Sequence, residues 1–247
     1  MGFGRNIRVF VDDNLSVGIK IILSEKLSHY LCSVMRCKVG DQIKCFNNLS
    51  GEFLCTVTSI GKKATVVHIE DKIKDIETEE DLWLLFSPLK KDRTDFVIEK
   101  SVELGVSKII PVKTERTNSE KIKLERFVAQ AIEASEQCER LSVPEIIDSL
   151  SLNNLLLSWD SKRTLFFMDE RRKGEEVISL FKQYKGKPAA ILIGPEGGFS
   201  DEEAKLINSF DFVRNVSLGP RILRAETAAT VSLALWQAAA GDWQGGK

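Results

Sequence analysis

The chain of 247 residues carries 35 basic and 36 acidic side chains, which gives a formal net charge of −1. This length allows either one large domain or a small domain followed by a medium one. No apolar run approaches the roughly 20 residues of a membrane span, and the N-terminus lacks the apolar segment of a secretion signal. We therefore expect a cytoplasmic protein that has no membrane partner.

The five cysteines and two histidines do not form a metal-binding pattern. The cysteines are odd in number, they are scattered, and none of them forms a CxxC pair. We expect free thiols in a reducing compartment and no metal site.

Basic residues are concentrated near the N-terminus. Residues 1–68 contain nine Lys or Arg against five Asp or Glu, whereas the rest of the chain contains 26 against 31. A basic N-terminal segment fits contact with a polyanion, and an ordinary solvated surface explains the same asymmetry equally well.

Residues 1–72 are predicted to form a small β-barrel. Short apolar or alternating runs separated by turn residues predict strands over residues 8–11, 19–23, 42–46, 52–58 and 64–69. A short helix is expected over residues 29–36, capped by Ser24 or Ser28. Residues 70–81 are highly charged and poor in apolar side chains, which indicates a linker, so we predict two domains, residues 1–72 and 73–247.

Strands and helices alternate in the second predicted domain. Strands are predicted over residues 82–87, 108–112, 164–168, 189–193 and 212–216, and helices over 95–105, 119–140, 175–184, 201–209 and 226–240. Thr94 is expected to cap the first of these helices. This alternation predicts an α/β domain with a mostly parallel sheet and helices on both faces.

A glycine-rich stretch, AAILIGPEGGFS, occupies residues 189–200. Its five apolar residues lie between Pro188 and Gly194 and predict a buried strand. The GPEGG segment predicts a sharp turn whose backbone a ligand can approach closely. Ser200, with Glu203 three residues later, predicts a capping box at the start of the next helix.

A second stretch, VSLGPRILRAETAA at residues 216–229, repeats the order of strand, Gly-Pro turn and helix start. Two such loops can converge on one ligand and hold an adenine ring through backbone groups and apolar walls. GxGxxG does not follow the first βα strand, and GxxxxGK[ST] does not occur, which disfavours ordinary dinucleotide-binding and P-loop enzymes.

Together, GPEGGFS at 194–200 and LGPRILRAETA at 218–228 resemble the RsmE-type 16S ribosomal RNA uridine-N3 methyltransferases of the SPOUT superfamily. The resemblance covers nearly the whole chain. It implies a C-terminal SPOUT domain with a trefoil knot, an N-terminal PUA-like RNA-binding barrel and a homodimer. It also implies S-adenosyl-L-methionine as methyl donor and a specific uridine of 16S rRNA, in the small ribosomal subunit, as acceptor.

The resemblance also implies roles for individual residues. The implied donor-binding residues are Gly194, Pro195, Glu196, Gly197, Gly198, Leu218, Gly219, Ile222 and Leu223. The implied catalytic residues are Arg224, as the main electrostatic group, with Glu226 and Arg221. The implied RNA-binding residues are Arg5, Arg8, Arg36, Lys90, Lys91, Arg93, Lys100 and Arg116. Structural roles stay open for all of them: turn geometry for the glycines, core packing for the apolar residues, helix-dipole complementarity for Glu226, and solvation for the basic residues.

Three functions are open at this point. The favoured one is methylation of a uridine N3 atom in 16S rRNA, because both glycine-rich motifs are intact. The others are a non-catalytic RNA-binding or ribosome-assembly protein with the same fold, and a SPOUT methyltransferase acting on another RNA.

Overall fold

The protein consists of two compact units. The computed structural model describes residues 7–77, 79–117, 123–169, 171 and 174–244, with only the backbone of Lys91 and Gln244. The first unit takes in the chain up to Thr78 together with Ser135–Val143, and the second takes in Glu79–Ala134 and the chain from Pro144 onwards. Arg5, an expected RNA contact, lies outside the described residues.

The first unit is built on a five-stranded sheet in the order β1-β3-β4-β5-β2. Its strands are β1 (Arg8–Phe10), β2 (Lys20–Ile22), β3 (Gln42–Asn47), β4 (Gly51–Ser59) and β5 (Val66–Lys74). Strand β1 pairs with β3 in parallel, and the other pairs are antiparallel. Inward-facing residues of all five strands, among them Val9, Ile21, Cys45, Cys55 and Val67, share one hydrophobic core. The small N-terminal β domain that the strand pattern predicts is therefore present.

Two local predictions in this unit need correction. The short helix is α1 (Glu25–His29), capped by Ser24 and continued by a π-helical turn over Tyr30–Val34, so it begins four residues earlier than predicted. Residues 70–74, assigned to the linker, extend β5, because backbone pairing with β4 tolerates charged side chains at an exposed strand end. The predicted domain boundary at 72/73 falls inside this strand.

Arg8 is buried at the centre of a polar cluster in the first unit. Its side chain is 2% exposed, forms an ion pair with the fully buried Glu52, and lies 3.5 Å from the centre of the Phe46 ring. The two terminal nitrogens donate to the backbone carbonyls of Ser135 and Arg140, each at 2.6 Å. The expected RNA contact at Arg8 is thus replaced by a structural role, because a phosphate would have to displace all of these partners.

The second unit contains an eight-stranded sheet in the order β11-β13-β10-β12-β6-β7-β8, with β9 paired to β7. Its strands are β6 (Leu82–Phe86), β7 (Lys108–Lys113), β8 (Glu145–Ile146), β9 (Leu150–Ser151), β10 (Thr164–Met168), β11 (Glu175–Glu176), β12 (Ala189–Ile193) and β13 (Val213–Ser217). All of its strand pairs are parallel. The predicted parallel sheet is therefore confirmed, while the trefoil knot stays a prediction of the resemblance.

Helices cover both faces of this sheet. The helices that follow β6 along the chain are α2 (Lys91–Glu103), α3 (Leu124–Gln137), α4 (Leu152–Leu157), α5 (Val177–Lys182), α6 (Asp201–Asn208) and α7 (Ala225–Ala239), followed by a 3-10 turn over Asp242–Gln244. On one face, Phe167 of β10 packs in a core with residues of α4 and α6. On the other face, Phe166 contacts Phe181 of α5 and Trp236 of α7. Successive side chains of a strand point to opposite faces of the sheet, so the neighbours Phe166 and Phe167 contact different helices.

The start of α2 also differs from the prediction. The helix begins at Lys91, and Thr94 lies inside its first turn rather than capping it. The Thr94 hydroxyl instead binds the backbone N–H and carbonyl of Leu89, at 2.9 and 3.0 Å, and so fixes the loop after β6. Strands β8 and β9 and helix α4 were not predicted, because elements of two to six residues are too short to show a periodic pattern. Among the described residues, no helix is long and apolar enough to cross a bilayer.

We expect replacement of Arg8 by Met to destabilise the first unit by about 3–5 kcal/mol, because the buried Glu52 carboxylate then loses its ion-pair partner Arg8. Urea denaturation of both proteins measures the difference in unfolding free energy. The control is Lys72→Met, which removes an exposed ion pair with Asp75 and is expected to cost no more than about 1 kcal/mol. Equal stability of the two variants would contradict the structural role of Arg8.

Candidate active site

Four neighbouring strands of the second unit end at the same edge of its sheet. Strands β13, β10, β12 and β6 are consecutive and parallel, so their carboxyl ends point the same way. The loops that leave them begin side by side, at Leu218, Asp169, Gly194 and Ser87. This is the edge at which open α/β sheets bind ligands.

A cavity of about 360 Å³ lies at this edge. Eight of the predicted donor-binding and catalytic residues line it: Gly194, Pro195, Glu196, Gly198, Ile222, Leu223, Arg224 and Glu226. Ile193 and Met168 add apolar wall from the ends of β12 and β10. The structure therefore brings both glycine-rich motifs together around one space.

A second, smaller cavity of about 50 Å³ adjoins the first and shares Met168, Ile222 and Leu223 with it. Its wall contains Leu218, Gly219 and Arg221, three predicted donor-binding or catalytic residues that do not line the larger cavity. Gly197 lies outside the walls of both cavities, and its carbonyl accepts a hydrogen bond from Arg116 at 2.8 Å.

Two glycines of the first loop have distinct structural requirements. A Cβ atom at Gly194 would lie 2.6 Å from the Phe199 ring, so the close packing of this buried ring excludes a side chain there. Gly198 has φ +68°, a left-handed conformation that glycine adopts without strain. Turn geometry thus explains part of the glycine content whether or not a ligand binds.

The loop after β12 is anchored by the capping box that the sequence predicts. The Ser200 hydroxyl accepts from the Glu203 N–H at 3.2 Å, and the Glu203 carboxylate accepts from the Ser200 N–H at 3.0 Å. The other carboxylate oxygen of Glu203 accepts from the Glu115 N–H at 2.8 Å, which ties the loop to the segment after β7. These bonds hold the outer wall of the cavity in place.

Arg93, an expected RNA contact, lies in the cavity wall. Its Nη1 atom donates to Glu196 at 2.6 Å, and its Nε atom lies 3.7 Å from Oε1 of Glu226. Glu196 lies in the loop after β12 and Glu226 in the first turn of α7, so one guanidinium links both glycine-rich motifs. Nothing in the sequence pattern indicates that Arg93, Glu196 and Glu226 lie close together.

Glu226 combines burial with an unused hydrogen-bonding capacity. Its side chain is 15% exposed, and its Oε2 atom is buried without a hydrogen-bond partner among the described residues. A buried carboxylate oxygen normally has a partner. The Oε2 atom of Glu226 therefore keeps an acceptor position that a water molecule or a ligand can use.

Arg224 and Arg221 are both exposed. Arg224 precedes α7 as its N-cap residue and lines the larger cavity, while Arg221 lines the smaller one. No ion pair between Arg224 and Glu226 forms among the described residues, where Arg93 is the basic partner of Glu226. Arg224 is therefore placed to meet a molecule that enters from solvent.

The remaining expected RNA contacts are dispersed. Lys90 is exposed next to α2, and the side chain of Lys91 lies outside the described atoms. Lys100 hydrogen-bonds to Glu103 and Glu99, and these acidic neighbours raise its pKa. In the first unit, Arg36 has φ +54° and lines a separate cavity of about 540 Å³.

Sequence reasoning missed the contribution of the loop after β10. Met168 and Asp169 line the smaller cavity, and Asp169 is buried, with its carboxylate accepting from Nε of Arg171 at 2.8 Å. The sequence signal was Asp169, an acidic residue directly after the buried strand β10. The glycine-rich loops likewise begin directly after buried strands. The neighbouring positions of these strands in the sheet were not readable from the sequence.

Comparisons with known proteins agree with this architecture. A family model described as an RNA methyltransferase domain matches residues 77–237, and one described as an RNA methyltransferase PUA domain matches residues 23–70. The chain is 33% identical over 229 residues to the ribosomal RNA small subunit methyltransferase E of Rickettsia conorii, with 92% of this chain and 93% of the relative covered. It is 32% identical over 219 residues to the protein of that name from Bacillus subtilis, with 83% and 84% covered.

A solved structure shows the same fold. The ribosomal RNA small subunit methyltransferase E of Neisseria gonorrhoeae, bound to S-adenosyl methionine, superposes with a TM-score of 0.88 at 29% identity. The match covers 97% of this chain and 100% of that chain. The chain therefore belongs to the RNA methyltransferase family that includes the ribosomal RNA small subunit methyltransferase E proteins.

Proposed function

We propose that this protein transfers a methyl group from S-adenosyl-L-methionine to the N3 atom of a uridine in 16S rRNA of the small ribosomal subunit. The observation that carries the proposal is the cavity between the two glycine-rich loops, in whose wall the Glu226 carboxylate has a buried, unpartnered oxygen. The names of the relatives support an rRNA substrate, and the donor bound to the Neisseria protein supports the cofactor.

The walls of the cavity suit such a donor. Its volume of about 360 Å³ lies within the usual range for small-molecule sites. Ile193, Ile222 and Leu223 offer apolar surface for an adenine ring, and the Gly194–Gly198 segment offers backbone groups with little side-chain obstruction. When bound, the donor supplies an electrophilic methyl group on a positively charged sulfur.

Uridine N3 carries a proton, and the neutral imide is a poor nucleophile. Glu226 is the residue we assign as proton acceptor, because it lines the cavity and its Oε2 atom has no hydrogen-bond partner among the described residues. Arg224 is assigned to stabilise the negative charge that develops on the uracil carbonyl oxygens as the proton leaves. Arg221, beside the smaller cavity, is assigned to a neighbouring phosphate.

The uridine has to leave its stack to reach this site, at a cost of a few kcal/mol. Exposed basic residues around the loops, Lys90 and Arg116, are candidates to hold the flanking RNA, and Arg36 is a candidate in the first unit. Arg8 has no part in this proposal, since its guanidinium is occupied inside the first unit.

We expect the protein to bind S-adenosyl-L-methionine in calorimetric titration. Gly198→Val should weaken binding about tenfold, because a β-branched residue at φ +68° costs about 1–2 kcal/mol and shifts the loop. Gly186→Val is the matched control, since Gly186 has a similar φ of +71°, has open space around its Cβ position and lines neither cavity. Failure of the folded wild-type protein to bind the donor would favour the non-catalytic alternative.

We expect Glu226→Gln to lower kcat by about 10² to 10⁴ while the donor dissociation constant changes little, because it removes the proton acceptor. Arg224→Met should lower kcat by about 10² to 10³. The assay methylates small ribosomal subunits from a strain lacking this modification and quantifies 3-methyluridine after digestion to nucleosides. Glu202→Gln, at an exposed position of α6, is the control.

Loss of activity in the Glu202 control as well would argue against a specific role for Glu226. A methylated ribose, or methylation of transfer RNA instead of ribosomal RNA, would contradict the proposed specificity.

We also propose that the protein functions as a homodimer, as the resemblance implies. Light scattering of the purified full chain should give twice the chain mass of 27.7 kDa. A monomer that methylates rRNA would contradict this proposal without affecting the assignment of the donor site.

A further inference from the structure

We propose that Arg93 is a positioning residue for methyl transfer rather than an RNA contact. In this proposal, which rests on the proposed function, Arg93 links the loop after β12 to the first turn of α7 and pairs with one oxygen of Glu226, which leaves the other oxygen free to accept a proton. Neither the sequence pattern nor the relatives' names assign this role.

The backbone that carries Arg93 is held firmly in place. It lies in the first turn of α2, where the Thr94 hydroxyl fixes the preceding loop through two hydrogen bonds to Leu89. Val97 and Ile98, in the next turn, are fully buried, and α2 packs against α7. The guanidinium is therefore presented from a helix whose own position does not depend on a ligand.

A planar guanidinium can hold two carboxylates at once, whereas an ammonium acts as a single point charge. Arg93 uses Nη1 for Glu196 at 2.6 Å, and Nε faces Oε1 of Glu226 at 3.7 Å. Without this cation, two carboxylates of like charge would share the same wall. Glu196, 31% exposed, would be expected to turn toward solvent and take its loop with it.

The same contact orients the Glu226 carboxylate. Because Oε1 faces Arg93, Oε2 is the atom left without a partner in the cavity wall. Arg93 thus determines which oxygen is available to accept a proton, although it does not itself touch the reacting atoms. Its side chain is 38% exposed, and such pairs contribute little to folding, so its loss should affect the site rather than stability.

The test compares Arg93→Met and Arg93→Lys with Arg126→Met. Arg126 is a matched control, because it forms a similarly exposed pair with Asp95, at 3.3 Å and 32% exposure, and does not line the cavity. Each variant is measured for thermal stability, for donor affinity by calorimetry, and for kcat and the KM for small ribosomal subunits.

We expect Arg93→Met to lower kcat about 10-fold to 100-fold, as for other misplaced catalytic groups, and to weaken donor binding several-fold. Stability and the KM for the subunits should stay near the wild-type values. Arg93→Lys should recover part of kcat, because a lysine can reach one of the carboxylates. Arg126→Met should match the wild type in every measurement.

A double-mutant comparison tests whether Arg93 acts through Glu226. In a Glu226→Gln background, Arg93→Met should cause little further loss of kcat. Equal losses in both backgrounds would overturn the proposal. So would a change confined to the KM for the subunits, which would make Arg93 an RNA contact. Absence of donor binding by the wild-type protein would instead reject the proposed function itself, so the two failures are distinguishable.

Discussion

The parallel alignment of β13, β10, β12 and β6 is the constraint on which the candidate site depends. Parallel strands end at a common edge, so loops that are separated by 20 or more residues in sequence begin next to each other. Each strand is buried by helices on both faces, which leaves the loops at its carboxyl end as the place where backbone is open to a ligand. A site at this edge follows from the sheet, and its chemistry follows from the few side chains that the loops carry.

Burial decides what each arginine does in this protein. Arg8 is enclosed with Glu52 and two backbone carbonyls, and it helps hold residues 135–143 in the first unit. Arg93 is partly exposed and bridges two acidic residues, while Arg224 is exposed beside the cavity. The same charged group therefore serves packing, positioning or ligand contact according to the partners that the fold supplies.

Acidic residues are as important to the cavity as basic ones. Glu196 and Glu226 bring two negative charges to a wall that also contains Arg93 and Arg224, so acidic and basic side chains balance there. The residues that we propose as RNA contacts, Lys90, Arg116 and Arg36, lie outside this wall.

The sequence by itself determined the order of the longer strands and helices, the parallel sheet, the capping box at Ser200 and Glu203, and the two glycine-rich loops. These features depend on local periodicity, on turn residues and on the rule that links βα alternation to parallel pairing. It misplaced the starts of α1 and α2, because Ser28 and Thr94 form hydrogen bonds that only the folded chain reveals. Tertiary structure alone decided three features: the burial of Arg8, the position of Met168 and Asp169 in the cavity wall, and the ion pairs of Arg93 with Glu196 and Glu226. Each feature depends on contacts between residues that are far apart in the sequence, and nothing in the sequence pattern indicates that these residues are close in space.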